Sequence, residues 1–183
     1  MHIITRRKMI SVVAAGLITS TLGTEVSSAA SLDAKVTDTL RNFHRQVRGT
    51  RELVADAAAV LVFPTVIKAG IGIGGEYGEG SLLSRGRPTE YYNMASASVG
   101  FQLGAQARSI IIVFMTEQAL ADFKRIDGWK VGVDGSIALI NVGVGGSIDT
   151  NRIASPVVGF IFDGKGLMYN LTLEGSKITR ISR

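Results

Sequence analysis

Residues 68–80 read Lys68-Ala69-Gly70-Ile71-Gly72-Ile73-Gly74-Gly75-Glu76-Tyr77-Gly78-Glu79-Gly80, and the meaning of this stretch decides the fold. Gly70 to Gly75 satisfies G-x-G-x-x-G literally. A nucleotide site needs a helix starting inside that motif, whose free N–H groups cradle a pyrophosphate. Here Glu76, Gly78, Glu79 and Gly80 follow. The glycines oppose a helix and the carboxylates repel phosphate. No Lys-Ser/Thr pair follows either, so the sequence argues against nucleotide binding. The alternative is a strand with glycine at every second position and one nearly bare face. Such a face lets a sheet, a helix or a ligand approach the backbone closely, or lets the strand bend. Glycine weakens a strand, so the pattern implies a shape requirement.

The period of two continues outward. Val99, Phe101 and Leu103 alternate with Gly100, Gln102 and Gly104. Ile110 to Met115 is continuous and apolar, as in a strand buried on both faces. Val131 and Val133 flank Gly132, and Ile140, Val142 and Val144 alternate with polar or glycine residues. Asp163-Gly164-Lys165-Gly166 predicts a hairpin turn between Val157–Phe162 and Leu167–Glu174. One helix interrupts the strands, capped by Thr116, with Glu117 at its positive end and Leu120 and Phe123 on its buried edge.

Upstream the period is helical. Leu32, Val36, Leu40, Phe43 and Val47 share one face, with Ser31 as the expected N-cap. Gly49 ends or bends this helix. Thr50 is expected to cap a second helix over Arg51 to Ala59, and Pro64 to stop the apolar run Val60–Phe63. The expected fold class is therefore α+β. N-terminal helices pack on a strongly curved, glycine-rich, mainly antiparallel sheet or barrel of roughly eight or nine strands, with one inserted helix.

The chain has 183 residues, 22 of them Gly and none Cys. Absence of Cys excludes disulfides, Cys-ligated metal, a cysteine nucleophile and a lipid-modified Cys anchor. Met1 to Ala30 has the layout of a secretory signal. Arg6, Arg7 and Lys8 precede an apolar stretch from Met9 to Gly23, and Ser28-Ala29-Ala30 supplies small residues for cleavage. Thr5-Arg6-Arg7-Lys8-Met9-Ile10 also resembles a twin-arginine signal, and general secretion is the alternative route. The expectation is an exported bacterial protein, periplasmic or outer-membrane associated, with one domain over 31–183. That mature chain carries 17 Lys+Arg and 14 Asp+Glu, a net +3. The excess is too small for a nucleic-acid binder.

Several spaced blocks resemble the SYLF domain family. They are Phe63-Pro64 with Lys68-Ala69-Gly70, Gly74-Gly75 and Gly78-Glu79-Gly80; then Ser98 through Gln106; then Glu117-Gln118-Ala119-Leu120 with Phe123; then Lys165-Gly166-Leu167 with Leu173-Glu174-Gly175. The resemblance covers about residues 33–183. It implies a non-enzymatic domain without a cofactor. Eukaryotic members bind phosphoinositides and other anionic lipids, and some yeast members bind actin. Bacterial members are exported envelope proteins. The family's Trp-Ser-x-Pro stretch is replaced here by Tyr91-Tyr92-Asn93-Met94, and export removes the chain from actin.

Arg41, His44, Arg45 and Arg48 form a polar stripe at helical spacing, opposite the apolar face. A basic amphipathic helix reads as a membrane-surface element, and the resemblance places lipid binding at this end of the domain. Lys35 and Lys68 are further candidates for the same site, and His44 could strengthen binding on acidification. The bland reading is a solvated face of a core-packing helix. Arg85 and Arg87 read as solvated loop charges, as do Glu76 and Glu79, and Trp129 as a partly buried anchor. His44 is the single His after the signal, with no acid nearby in sequence to orient it, so no catalytic residue and no metal site are expected. Two function classes follow: a lipid-binding envelope domain recognising anionic or phosphoinositide-like head groups, or a protein-interaction component of the envelope.

Overall fold

The computed structural model describes residues 21–140, 146–149, 153–163, 166–167 and 172–183. Two strands dominate it: β1 (Ala59–Ser84) and β2 (Arg87–Phe114), of 26 and 28 residues. They pair antiparallel along almost their whole length. The turn between them is Arg85-Gly86, with φ of 51° and 75°. Two positive φ values in a two-residue connection mark the turn whose twist matches the flanking strands. Arg85 thus sits in a tight turn and Arg87 begins a strand.

A straight strand of this length would run about 85 Å at the usual rise per residue. The hairpin instead curls, with register shifts between Phe63 and Val66, Gly70 and Gly72, and Leu82 and Leu83. Pro64 falls at the first shift. A bulge asks no ladder hydrogen bond of proline, and the Pro64 carbonyl accepts one from the Ser109 hydroxyl at 2.7 Å. The expected stop at Pro64 is therefore a bend within a continuous strand.

The curl brings β1 across itself. A Cβ built on Gly80 would overlap the Val62 carbonyl oxygen and stand 2.7 Å from the Phe63 ring. One on Gly78 would stand 2.7 Å from both the Thr65 carbonyl oxygen and the Val66 side chain. At Gly78 and Gly80 the bare face is thus a close approach of backbone to backbone, which only glycine permits.

The remaining strands attach to β2. Its residues 109–114 pair with β5 (Val157–Asp163) and residues 91–95 with β7 (Lys177–Ile181). β3 (Trp129–Lys130) lies on β7; β4 (Ala138–Leu139) and β6 (Gly166–Leu167) lie on β5. Of these pairings only β4 with β5 is parallel, so the sheet is mainly antiparallel as expected. The β5–β6 hairpin forms where Asp163-Gly164-Lys165-Gly166 predicted a turn, pairing Phe162 with Leu167. Val131 and Val133 do not form the expected strand. Gly132 has φ 86° and turns the chain, leaving Val133 exposed. The expected alternation at Ile140–Val144 falls largely outside the described residues. β7 had no forecast, being short and interleaved with Lys177 and Arg180.

Two apolar clusters flank the sheet. Inside the curl lie Leu61, Phe63, Val66, Leu82, Met94, Ile110, Ile112, Phe114 and Ile178. α3 (Glu117–Arg125) closes this side with Leu120 and Phe123, its Thr116 cap accepting from the Ala119 N–H. Phe123 meets Trp129 edge-on, their ring centres 5.6 Å apart, and Trp129 is buried. Outside the curl, Val60, Val62, Ile111, Val113, Val158, Phe160 and Phe162 pack under two helices. Ile110 to Phe114 alternate between the clusters, as a doubly buried strand should. Each such side chain contributes about 1.5–3 kcal/mol on burial.

The helices are α1 (Thr21–Gln46) and α2 (Thr50–Asp56). Leu32, Val36, Phe43 and Val47 anchor the first, and Phe43 packs between Phe160 and Phe162 at 4.7 and 6.0 Å. Both expected caps are corrected. Ser31 lies within α1, its hydroxyl bonded to the Ser28 carbonyl. Thr50 is the first residue of α2, and its hydroxyl turns back to the Val47 carbonyl. α2 stops at Asp56 because Ala59 already belongs to β1.

Candidate functional site: a basic helix flank and an adjoining groove

Burial of Leu32, Val36, Phe43 and Val47 fixes the rotation of α1. Lys35, Arg41 and Arg45 are consequently exposed on its solvent side. Arg41 pairs with Asp38 at 2.7 Å, and Arg45 donates to the Asn42 amide oxygen. Asp38 therefore offsets part of the stripe's charge. The Arg41–Asp38 pair is open to solvent and contributes at most about 1 kcal/mol.

Arg48 lies beyond the helix end and is exposed. Its N–H donates to the Gly146 carbonyl and its carbonyl accepts from the Ile148 N–H, each at 2.9 Å. This short parallel bridge pins segment 146–149 to the junction of the two helices. Gly49, at φ 81°, completes the junction, since a Cβ there would overlap the Ile148 carbonyl.

His44 leaves the stripe. It is half-buried, with Nδ1 2.9 Å from the Thr50 hydroxyl. That hydroxyl spends its proton on Val47, so Nδ1 is the donor to it. Burial, and then the Arg51 charge, hold the imidazole below its ordinary pKa, while Glu52 opposes them. Protonation of His44 therefore needs more acid than for a free imidazole.

Lys68 belongs elsewhere. It stands with Val66 on the inner side of the curl, and its ammonium is 3.5 Å from Glu76. The other Glu76 oxygen pairs with Arg108. The structure leaves Lys35, Arg41, Arg45 and Arg48 exposed along the second half of α1 and its junction with α2, whereas Lys68 stands on the inner side of the curl.

Glu76 and Glu79 are not loop charges. Both lie in β1, with Glu76 8% and Arg108 6% exposed. Each ion would cost several kcal/mol to desolvate alone, so their pairing makes the burial tolerable. Glu79 pairs with Arg183 near the chain's end, and Arg183 also reaches Ser28. Arg108 was missed in the sequence. Its signal was the strand alternation itself, which puts residue 108 on the same face as Ile110 and Ile112.

The groove was also invisible in the sequence. It has a volume of about 630 Å³, an aliphatic floor of Ile140, Ile148, Ile153 and Val158, and Ser147, Asp149 and Ser155 as polar lining. It opens beside the Arg48 bridge. Tyr91 fastens the middle of α1 by donating to Asp33 at 2.9 Å; burial first, and this bond second, raise the phenol's pKa. Among the described residues no three His, Asp or Glu side chains are gathered to hold a metal ion. No described helix is long and apolar enough to cross a membrane.

Among protein families, the model described as "Ysc84: Las17-binding protein actin regulator" matches residues 95–182. The match runs from the middle of β2 through α3 to β7. It is the SYLF domain family, and the resemblance is borne out over residues 95–182, which hold all the spaced blocks except the one at 63–80. No curated protein matches the chain.

Proposed function

We propose that this chain, whose residues 95–182 match the SYLF domain family, is a non-enzymatic lipid-binding protein of the bacterial envelope. Its ligand is an anionic membrane surface, met by the basic flank of α1. One observation carries the reading: Lys35, Arg41, Arg45 and Arg48 are all exposed along the second half of α1 and just past its end, while the apolar face of the same helix is buried. The helix is thereby held with its charges outward. Each cation near an anionic bilayer contributes on the order of 1 kcal/mol, so the four give weak, reversible attachment, reduced by Asp38. The signal-like Met1–Ala30 supports an exported setting. Cleavage after Ala30 would keep the apolar anchors Leu32, Val36, Phe43 and Val47.

Sedimentation with phosphatidylglycerol vesicles tests the reading. Binding is expected at low salt and should fall at least tenfold by 0.5 M, because screening shortens the reach of surface charges. Arg41, Arg45 and Arg48 changed together to Glu should abolish it, with an unchanged circular dichroism spectrum. Wild-type protein that ignores these vesicles at low salt defeats the proposal and favours a protein partner.

A further inference from the structure

We infer that the bend of the β1–β2 hairpin, residues 69–75 with 97–106, is a second membrane contact, entering the head-group layer of a bilayer while the basic flank of α1 lies on its surface. The inference rests on the lipid reading above and adds to it a contact that uses no charge. Geometry is the first argument. The eight steps of extended strand from Lys68 to Glu76 would part them by about 27 Å, yet their charged ends stand 3.5 Å apart. β1 therefore doubles back between them. Gly78 lies against Thr65 and Val66, and Gly80 against Val62, which continues the same antiparallel crossing. β2 follows the bend, pairing Gly70 with Gly104, Gly72 with Gly100 and Gly75 with Ala97. Residues 69–75 and 97–106 are consequently an apex, with the ion pairs of Lys68, Glu76 and Arg108 at its base.

Composition is the second argument. The chain is 19% charged, yet 69–75 and 91–107 contain no Asp, Glu, Lys or Arg. On the shoulders of the bend Ile67 and Tyr77 are each 51% exposed. Among the described residues Val133 is the one other large hydrophobic that stands exposed, so exposed apolar bulk gathers here. Ala69, Gly75, Ala95, Ala97 and Ala107 beside them are exposed as well. Tyr77 marks the boundary with the charged base. Its ring is exposed, while its hydroxyl donates to Glu79 at 2.9 Å and Glu79 pairs with Arg183. An uncharged apex, then an aromatic ring, then an ionic base is the polarity profile of a bilayer surface, where Tyr settles at head-group level. A protein partner would call for about one hydrogen bond per 100–200 Å². The described exposed residues of the bend offer it the Gln106 amide, since the Tyr77 hydroxyl already serves Glu79.

Position relative to α1 is the third. Tyr91, which faces Ser81 in the ladder, donates to Asp33 of α1. Ser81 lies four residues along β1 from Tyr77, about 14 Å at the usual rise. Lys35, the first cation of the basic flank, follows two residues after Asp33. One bilayer can therefore meet the bend and the start of the flank together. Depth is limited by the backbone. β1 and β2 pair with each other on one edge through the bend, and an unpaired edge is too costly in hydrocarbon, so the contact stops at the head groups.

The chain has no Cys, so one introduced thiol carries a unique probe. Ala69→Cys and Ala97→Cys, each labelled with the environment-sensitive dye NBD, place it on the bend at exposed positions. Gln118→Cys, exposed on α3 beyond the far end of β2, is the control. With dioleoyl-phosphatidylglycerol vesicles at low salt, the two bend labels should shift to the blue by at least 10 nm, and spin-labelled lipid should quench them. The control label should do neither. Ile67→Ser with Tyr77→Ser leaves the net charge unchanged and should cut vesicle sedimentation at least fivefold, with an unchanged circular dichroism spectrum. Bend labels that stay unshifted on vesicle-bound protein, a control label that shifts equally, or a double variant that sediments like wild type overturns the bend assignment and leaves the surface reading standing. Failure of wild-type vesicle binding overturns both.

Discussion

Two segments of β1 follow the same alternation and use it in opposite ways. In residues 59–66, Ala59, Leu61, Phe63 and Val66 fill the inside of the curl, and Val60 and Val62 fill the layer under α1. In residues 75–82, the inward positions are Glu76, Gly78, Gly80 and Leu82, and the outward Gly75 and Tyr77 are exposed. The first segment is held by side-chain volume. The second yields volume so that its backbone can cross the first. Glycine enrichment here specifies a shape: a strand long enough to pack against itself needs one segment with almost no side chains where the crossing occurs.

Breaking that division at the crossing should have the largest effect. Gly80→Val puts a branched Cβ against the Val62 carbonyl and the Phe63 ring. Both are fixed, one in the ladder and the other in the core. Overpacking usually costs about 1–3 kcal/mol where neighbours can shift. Here the clash is with backbone, so a loss of about 3 kcal/mol or more, or no cooperative urea transition, is expected. A variant within 1 kcal/mol of wild type would show that the strand does not cross itself so closely.

The second segment's other inward feature is Glu76. Glu76→Gln leaves Arg108 buried and uncompensated, a change that typically costs about 3–5 kcal/mol. Replacing both, Glu76→Met with Arg108→Leu, should recover most of that loss, because the burial of an ion pair is itself costly. The double variant separates the pair's role from the shape of the site. If it is no more stable than Glu76→Gln in urea, the charges do more than balance each other.

The same contrast explains what could be read from the chain. α3 was legible because its cap, acidic first turn and apolar spacing are local. Ile110–Met115 was legible because an unbroken apolar run needs cover on both faces. The solvent flank of α1 was legible from period alone. Continuity of β1 was not, since Pro64 reads as a stop unless a bulge absorbs it. Glu76 read as a loop charge because its partner, Arg108, lies 32 positions away. Lys68 was grouped with the α1 arginines because sequence does not say which side of the sheet a strand residue faces. The described lining of the groove comes from short separate pieces, at 138–140, 147–149, 153–155 and 158, which no single period links.

His44 sharpens the comparison from the helix side, with a smaller effect. Its folded pKa is lowered below the ordinary 6.5, by burial first and by Arg51 next. In the window from 6.5 down to the folded pKa, the unfolded chain binds more protons than the native one. Stability contributed by neutral His44 is therefore full above 6.5 and falls as pH drops through that window. The thermal midpoint of wild type should decline more between pH 7.5 and 5 than that of His44→Gln. Equal declines would place the acid sensitivity in other groups.

The smallest expected effect is the most discriminating one. Gly75 belongs to the same glycine run as Gly80, yet a Cβ there would have Ser96 O at 3.5 Å, an ordinary contact. Its φ is not positive, so an L side chain meets no backbone strain. Gly75→Ala restricts the unfolded chain and should leave stability unchanged or raise it by up to about 1 kcal/mol. Paired with Gly80→Val in the same urea assay, it asks whether the glycines act by position or by composition. Damage at Gly75 comparable to that at Gly80 would mean the run serves general strand flexibility. Damage confined to Gly80 and Gly78 locates the requirement in the few residues where β1 lies across its own backbone.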